Sequence, residues 1–218
     1  MTKNDSSTPA VGANDFVTEA YNSSDKAALE TFYAKWANDY DRQMLDELRY
    51  CSPHKISALL QQHLPNKQSK VLDVGCGTGL TIKGLFEAGY TQLHGLDLSE
   101  DMVKVATSRG FYQGLKVADV NQPLDYNNEQ FDAIISSGTF THGHAGSEPL
   151  IELFRTLKVG GLLACTVHEE LWEKLGFSSI FSKLEEGGKV KCLHLTKEEF
   201  YQDKAPEGWF CLYEKLRV

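Results

Sequence analysis

The sequence predicts an α/β fold built on a parallel sheet, and three observations lead there. Short β-rich runs alternate with helical patterns of about ten residues. The runs are apolar without polar alternation, as expected of strands covered by helices on both faces. The first of them, Val71-Leu72-Asp73-Val74, feeds straight into a glycine loop and then a helix.

Residues 1–22 are rich in Ser, Thr, Asn, Asp and Gly and read as a flexible leader. Ser24 or Asp25 can cap a helix in which Leu29, Phe32, Tyr33, Trp36 and Tyr40 recur at spacings of three and four, forming one aromatic stripe. A short helix is expected over Arg42 to Leu48. Another begins at Ser52-Pro53, with Ser as N-cap and Pro in the first turn. Together, residues 23–66 form an expected N-terminal helical lid, and residues 67–218 an expected main domain.

In that domain the glycine loop leads into a helix over Thr81 to Ala88. Leu93 to Leu98 is the second strand, and Ser99 caps a helix that Gly110 closes. Leu115 to Asp119, Phe131 to Ser136 and Leu162 to His168 are strands three to five. A helix over Glu148 to Leu157 precedes the fifth. Glu170 to Glu186 reads as one helix. Val190 to Leu195 and Phe210 to Leu216, the latter opened by Trp209, are the last two strand candidates.

Composition narrows the function. The chain has 218 residues, a formal charge of −8 and no visible basic face, which argues against nucleic-acid partners. No apolar run approaches the roughly 18 residues of a membrane span, and the polar start holds no signal-peptide core. The five scattered cysteines show no C-x-x-C spacing and read as reduced thiols, so a cytoplasmic location is expected.

The chemistry starts at Gly75-x-Gly77-x-Gly79. Glycines reach backbone angles closed to other residues and let a ligand touch the main chain. The helix N-terminus behind them offers free N–H groups. A dinucleotide loop wants G-x-G-x-x-G, but Leu80 stands where the third glycine belongs, which disfavours a nicotinamide-dependent oxidoreductase. With Asp73 ahead of it, the loop suits a ligand carrying both an ammonium and a carboxylate. Asp73 attracts the first, and the amides of Gly75, Cys76 and Gly77 receive the second. Asp97, ending strand two, is spaced to accept from ribose hydroxyls. Asp119, ending strand three, can accept from an exocyclic adenine amine, with Val120 and Met102 flanking the ring.

These residues compose a resemblance. VLDVGCGTG, LHGLDLS-x-x-M, VADV and FDAII-x-x-G, followed by LKVGGLL, resemble the ordered motifs of class I S-adenosylmethionine-dependent methyltransferases, from about Lys70 to Val167. The upstream FYAKWANDYDRQMLDELRY-x-x-P looks like the methyltransferase-like proteins of the Williams–Beuren region type and their microbial relatives. The resemblance implies a Rossmann-like seven-stranded mixed sheet of order 3-2-1-4-5-7-6, its last strand antiparallel, flanked by helices. It implies S-adenosyl-L-methionine as cofactor and S-adenosyl-L-homocysteine as product. It places Leu98 with Met102 beside the adenine, Ser136 or Ser137 under the sulfonium, and the leading helix over the cofactor.

Chemistry in an open α/β sheet lies outside the carboxyl ends of the strands, so the loop Ser136 to Gly146 is the acceptor's neighbourhood. It lacks the N-P-P-Y or D-P-P-Y block of amine methylation on bases or glutamine amides, and a nucleophilic Cys. His142 or His144 is the candidate base. Tyr33, Tyr40, Phe140, His168 and Glu169 are candidates for acceptor binding. No metal site is expected, because His142-x-His144 shows no third ligand at ligand-like spacing. The expected activity is methylation of a small polar metabolite, nitrogen favoured over oxygen or sulfur, by a monomer or homodimer. A protein methyltransferase and a non-catalytic cofactor-binding regulator are the alternatives.

Overall fold

The computed structural model describes residues 39–202 and 204–217. The expected leader, and most of the expected lid with Leu29, Phe32, Tyr33 and Trp36, lie outside the described residues. Seven strands, β1 (Lys70–Val74), β2 (Gln92–Asp97), β3 (Gly114–Val117), β4 (Phe131–Phe140), β5 (Leu157–His168), β6 (Val190–Tyr201) and β7 (Lys204–Lys215), form one sheet. Its order is 3-2-1-4-5-7-6, as expected. The first five strands are mutually parallel, while β7 runs antiparallel between β5 and β6.

The helices are α1 (Ser52–His63), α2 (Leu80–Glu87), α3 (Glu100–Arg109), α4 (Pro149–Thr156), α5 (Glu169–Lys174) and α6 (Phe177–Glu186). Successive strand residues point to opposite faces, so the apolar strands feed two cores. Leu72, Ile134 and Leu163 pack with Leu150 and Leu153 of α4 and Phe177 and Phe181 of α6. Val71, Ile135 and Ala164 pack with Ile56 and Leu60 of α1 and Ile82 and Leu85 of α2. The order reverses between β1 and β4, which opens the crevice that such sheets use for ligands.

Several expectations need correction. Ser52 does not cap α1. Cys51 holds that position without a side-chain capping bond, its thiol donating to Phe200 O (3.3 Å), and Ser52 Oγ instead meets Ser137 Oγ at 2.9 Å. The short helix expected over 42–48 is one α-turn (Tyr40–Arg42) running into a π-turn (Gln43–Glu47), in which Leu48 N–H donates to Gln43 O. The single helix expected over 170–186 is broken at Gly176, whose φ of 72° leaves the helical region. Strand β4 continues to Phe140, through a register shift between Ser136 and Phe140. Strand β6 extends to Tyr201. Its outer half carries Lys197, Glu198 and Glu199, charges typical of an edge strand that weaken a sequence-level strand signal.

The loop after β3 is fastened by α4. Arg155 donates to the carbonyls of Tyr126 (2.9 Å) and Leu124 (3.1 Å) and to Asn128 Oδ1 (2.7 Å). Glu152 orients the guanidinium and accepts from Leu124 N–H (2.8 Å). Truncation leaves those carbonyls without their charged donor. Arg155→Ala therefore lowers the unfolding free energy by about 1–3 kcal/mol in urea titrations. Arg155→Lys recovers only part of it, since an ammonium lacks the planar fork.

Candidate active site

The carboxyl ends of β1, β2 and β4 surround a cavity of about 290 Å³. Gly75, Gly77 and Gly79 all have positive φ (67°, 52° and 96°), and Gly79 is the N-cap of α2. At Gly75 a Cβ would stand 2.0 Å from Thr139 Oγ1, so backbone angle and space both demand glycine. Thr139 Oγ1 (2.9 Å) and Ser136 Oγ (2.8 Å) both donate to Val74 O, binding β1 to β4 under the loop.

Asp97 ties the loop to β2. Its Oδ2 accepts from Gly77 N–H (2.8 Å) and its Oδ1 from Ser99 N–H (2.9 Å). Burial raises its pKa, and backbone N–H donors, Ser99 first, oppose the rise. Each carboxylate oxygen keeps acceptor capacity for a hydroxyl donor. Leu98, Met102 and Val120 line an apolar slot beside it, with Asp119 and Asn121 at its polar end.

Asp73 lies beneath the wall rather than on it. It is fully buried, Tyr112 OH donates to its Oδ2 (2.8 Å), and its Oδ1 has no hydrogen-bond partner among the described residues. Burial pushes its pKa up to about 7, helped by the Asp97 charge and opposed by the Tyr112 bond. Cys76 is likewise buried under the loop. The slot, the carboxylate pair and the glycine amides suit a nucleoside that carries an amino-acid chain.

On the β4 side, Ser137, Gly138, Gly143 and His144 line the cavity, and Tyr40 lines it too. His144 Nδ1 stands 2.7 Å from His142 O. A carbonyl only accepts, so Nδ1 carries the proton and Nε2 is the basic nitrogen of the neutral ring. Burial lowers the His144 pKa, opposed by that bond. His142 turns elsewhere, its Nε2 lying 3.2 Å from Glu170 Oε2 and its ring 4.7 Å from the ring of His168. His168 is buried and caps α5, its Nδ1 accepting from Glu170 N–H (3.3 Å).

Of the remaining candidates, Ser136, Phe140, His168 and Glu169 do not line the cavity. Ser136 is spent on Val74 O, and its neighbour Ser137 faces the cavity instead. Phe140 is core, edge-on to Phe177. Glu169 pairs with Lys197 at 2.6 Å. Tyr33 lies outside the described residues. Sequence reasoning missed Tyr112 and Thr139, whose contacts are long-range. It also missed Asp41, which takes bonds from Thr78 in the glycine loop and from Arg109 at the end of α3.

A family model described as a methyltransferase domain matches residues 72–165. Human methyltransferase-like protein 27 is 35% identical over 178 residues, covering 79% of this chain and 72% of that protein. This chain belongs to the class I S-adenosylmethionine-dependent methyltransferases.

Other relatives include the mitochondrial ubiquinone biosynthesis O-methyltransferase of Dictyostelium discoideum, 31% identical over 45% of this chain and 35% of that protein. Among solved structures, a chain of the complex between the Haloferax volcanii Trm112 methyltransferase activator and a methyltransferase superposes with TM-score 0.64. It is 18% identical and covers 85% of this chain and 98% of that one. A SAM-dependent methyltransferase from Aquifex aeolicus gives TM-score 0.58 at 18% identity, over 84% of this chain and 98% of that one. At those identities the structures speak for the fold. The cofactor of this methyltransferase is S-adenosyl-L-methionine. Among the described residues, no helix is long and apolar enough to cross a membrane.

Asp73 gives this methyltransferase a pH signature. A carboxyl whose folded pKa is about 7, against 3.8 for the free group, stabilises the ligand-free fold below about pH 4 and loses that contribution as pH rises through 7. Asp73→Asn carries no such group. Its melting temperature therefore gains on that of the wild type between about pH 4 and 7 and keeps a constant offset above that window.

Proposed function

We propose that this methyltransferase acts on a small polar metabolite, at nitrogen in preference to oxygen or sulfur, with His144 as the base. The observation that carries the reading is the cavity itself, which joins the nucleoside slot to an imidazole kept neutral by burial. Bound S-adenosylmethionine supplies an electrophilic methyl group on a sulfonium. The proposed division of labour gives the ribose to Asp97, the adenine to Leu98, Met102, Val120 and Asp119, and the amino-acid chain to the amides of Gly75 and Gly77. Tyr40 and Ser137 border the acceptor.

Displacement at a sulfonium needs alignment and a lone pair on the acceptor. His144 Nε2 takes the acceptor's proton, and His142 O holds the ring in the tautomer that can do so. Among the described residues that line the cavity there is no lysine or arginine. A phenolate, carboxylate or thiolate would find no lysine or arginine to stabilise it there, only the cofactor's own sulfonium, whereas a neutral amine needs no cation at all. The charge of −8 supports a small acceptor over a nucleic acid. The described cysteines are free thiols, which supports a cytoplasmic setting.

The test is incubation of the protein with labelled S-adenosylmethionine and a desalted metabolite pool. Label enters small solutes, and His144→Ala slows that transfer by about 10²-fold or more while product binding changes little. Because burial lowers the His144 pKa, activity is retained to a pH below the ordinary imidazole range before it falls. Label appearing only in macromolecules would overturn the small-molecule reading.

A further inference from the structure

We propose that His142, His168 and Glu170 form a binding site for a divalent transition-metal cation of the zinc type, beside the acceptor side of the cavity. One ligand atom from each residue lies within 4.8 Å of the others. The sheet brings them together. Phe140 of β4 pairs with Val167 of β5, so His142 and His168, just past those residues, emerge at the same level of the sheet, and α5 begins there with Glu170 in its first turn.

The chemistry of the donors fits. Two imidazoles and one carboxylate are ligands that zinc accepts, and three protein ligands leave a fourth position for water or a small ligand. The distance from His142 Nε2 to Glu170 Oε2 is 3.2 Å. Tetrahedral coordination with bonds of about 2.0 Å has ligand-to-ligand edges of about 3.3 Å, so this edge already has coordination length. The two rings stand at 72° to each other, which lets lone pairs converge from different directions.

His168 sets a condition. Its Nδ1 accepts from Glu170 N–H at 3.3 Å, long for such a bond. Coordination through Nδ1 uses that lone pair, and coordination through Nε2 moves the proton to Nδ1. Either way the cap is exchanged for the metal bond. The cation then fastens the loop that carries Gly143 and His144 to the start of α5. This site is independent of the acceptor's identity, and its test reads binding rather than turnover.

Full-length protein freed of metal by chelator and dialysis is titrated with Co²⁺, followed by visible d–d absorption, and then with Zn²⁺. The wild type binds about one equivalent of Co²⁺ that Zn²⁺ displaces, and its melting temperature rises. His142→Ala and Glu170→Gln, both at partly exposed side chains, each weaken binding at least about ten-fold. His63→Ala, outside the cluster, leaves binding unchanged. Binding of S-adenosylhomocysteine by each variant verifies that it is folded. A wild type that binds neither cation, or a His142→Ala variant that binds as tightly as the wild type, overturns the proposal and leaves a polar contact only.

Discussion

The carboxylate of Asp97 is the constraint on which the site depends. It receives the N–H of Gly77 from one strand end and the N–H of Ser99 from the next. Two segments with no covalent reason to meet are thereby held at one edge of the crevice. Burial works against its charge, and the backbone donors compensate by holding the ionised form. The glycine loop can then keep three left-handed residues in a row of five without collapsing onto β2. Thr139 holds the opposite side by filling the space where a Cβ of residue 75 would stand.

The β4 side of the cavity is built on a different principle. Strand β4 gains residues against β5 between Ser136 and Phe140, which releases Ser137 and Gly138 from the ladder and turns them to the cavity. The two histidines of the following loop then separate. The backbone carbonyl of His142 fixes the tautomer of His144, while the His142 side chain turns to Glu170 and His168. One loop thus serves two environments, a neutral imidazole at the cavity and a cluster of donors outside it.

The order of the sheet, the glycine loop and the Ser99 cap were legible in the sequence because each rests on local pattern or on a resemblance spread over several motifs. What escaped was long-range or depended on which face a side chain takes. Ser52 reads as a helix cap by position, yet its hydroxyl bonds Ser137 in β4. Phe140 sits in the expected loop, but the continuation of β4 turns it into the core. Tyr112 and Asp41 carry no periodic signal at all, and only folding brings them to Asp73 and Thr78. The pairing of His142 with His168 is invisible for the same reason, since it follows from strand register.

Calorimetric titration of S-adenosylhomocysteine into wild-type protein and into Asp97→Ala tests the central claim most directly. The variant loses both the anchor of the glycine loop and the proposed ribose acceptor, so its affinity falls by about ten- to hundred-fold or more. Equal affinity in the two proteins would contradict the account.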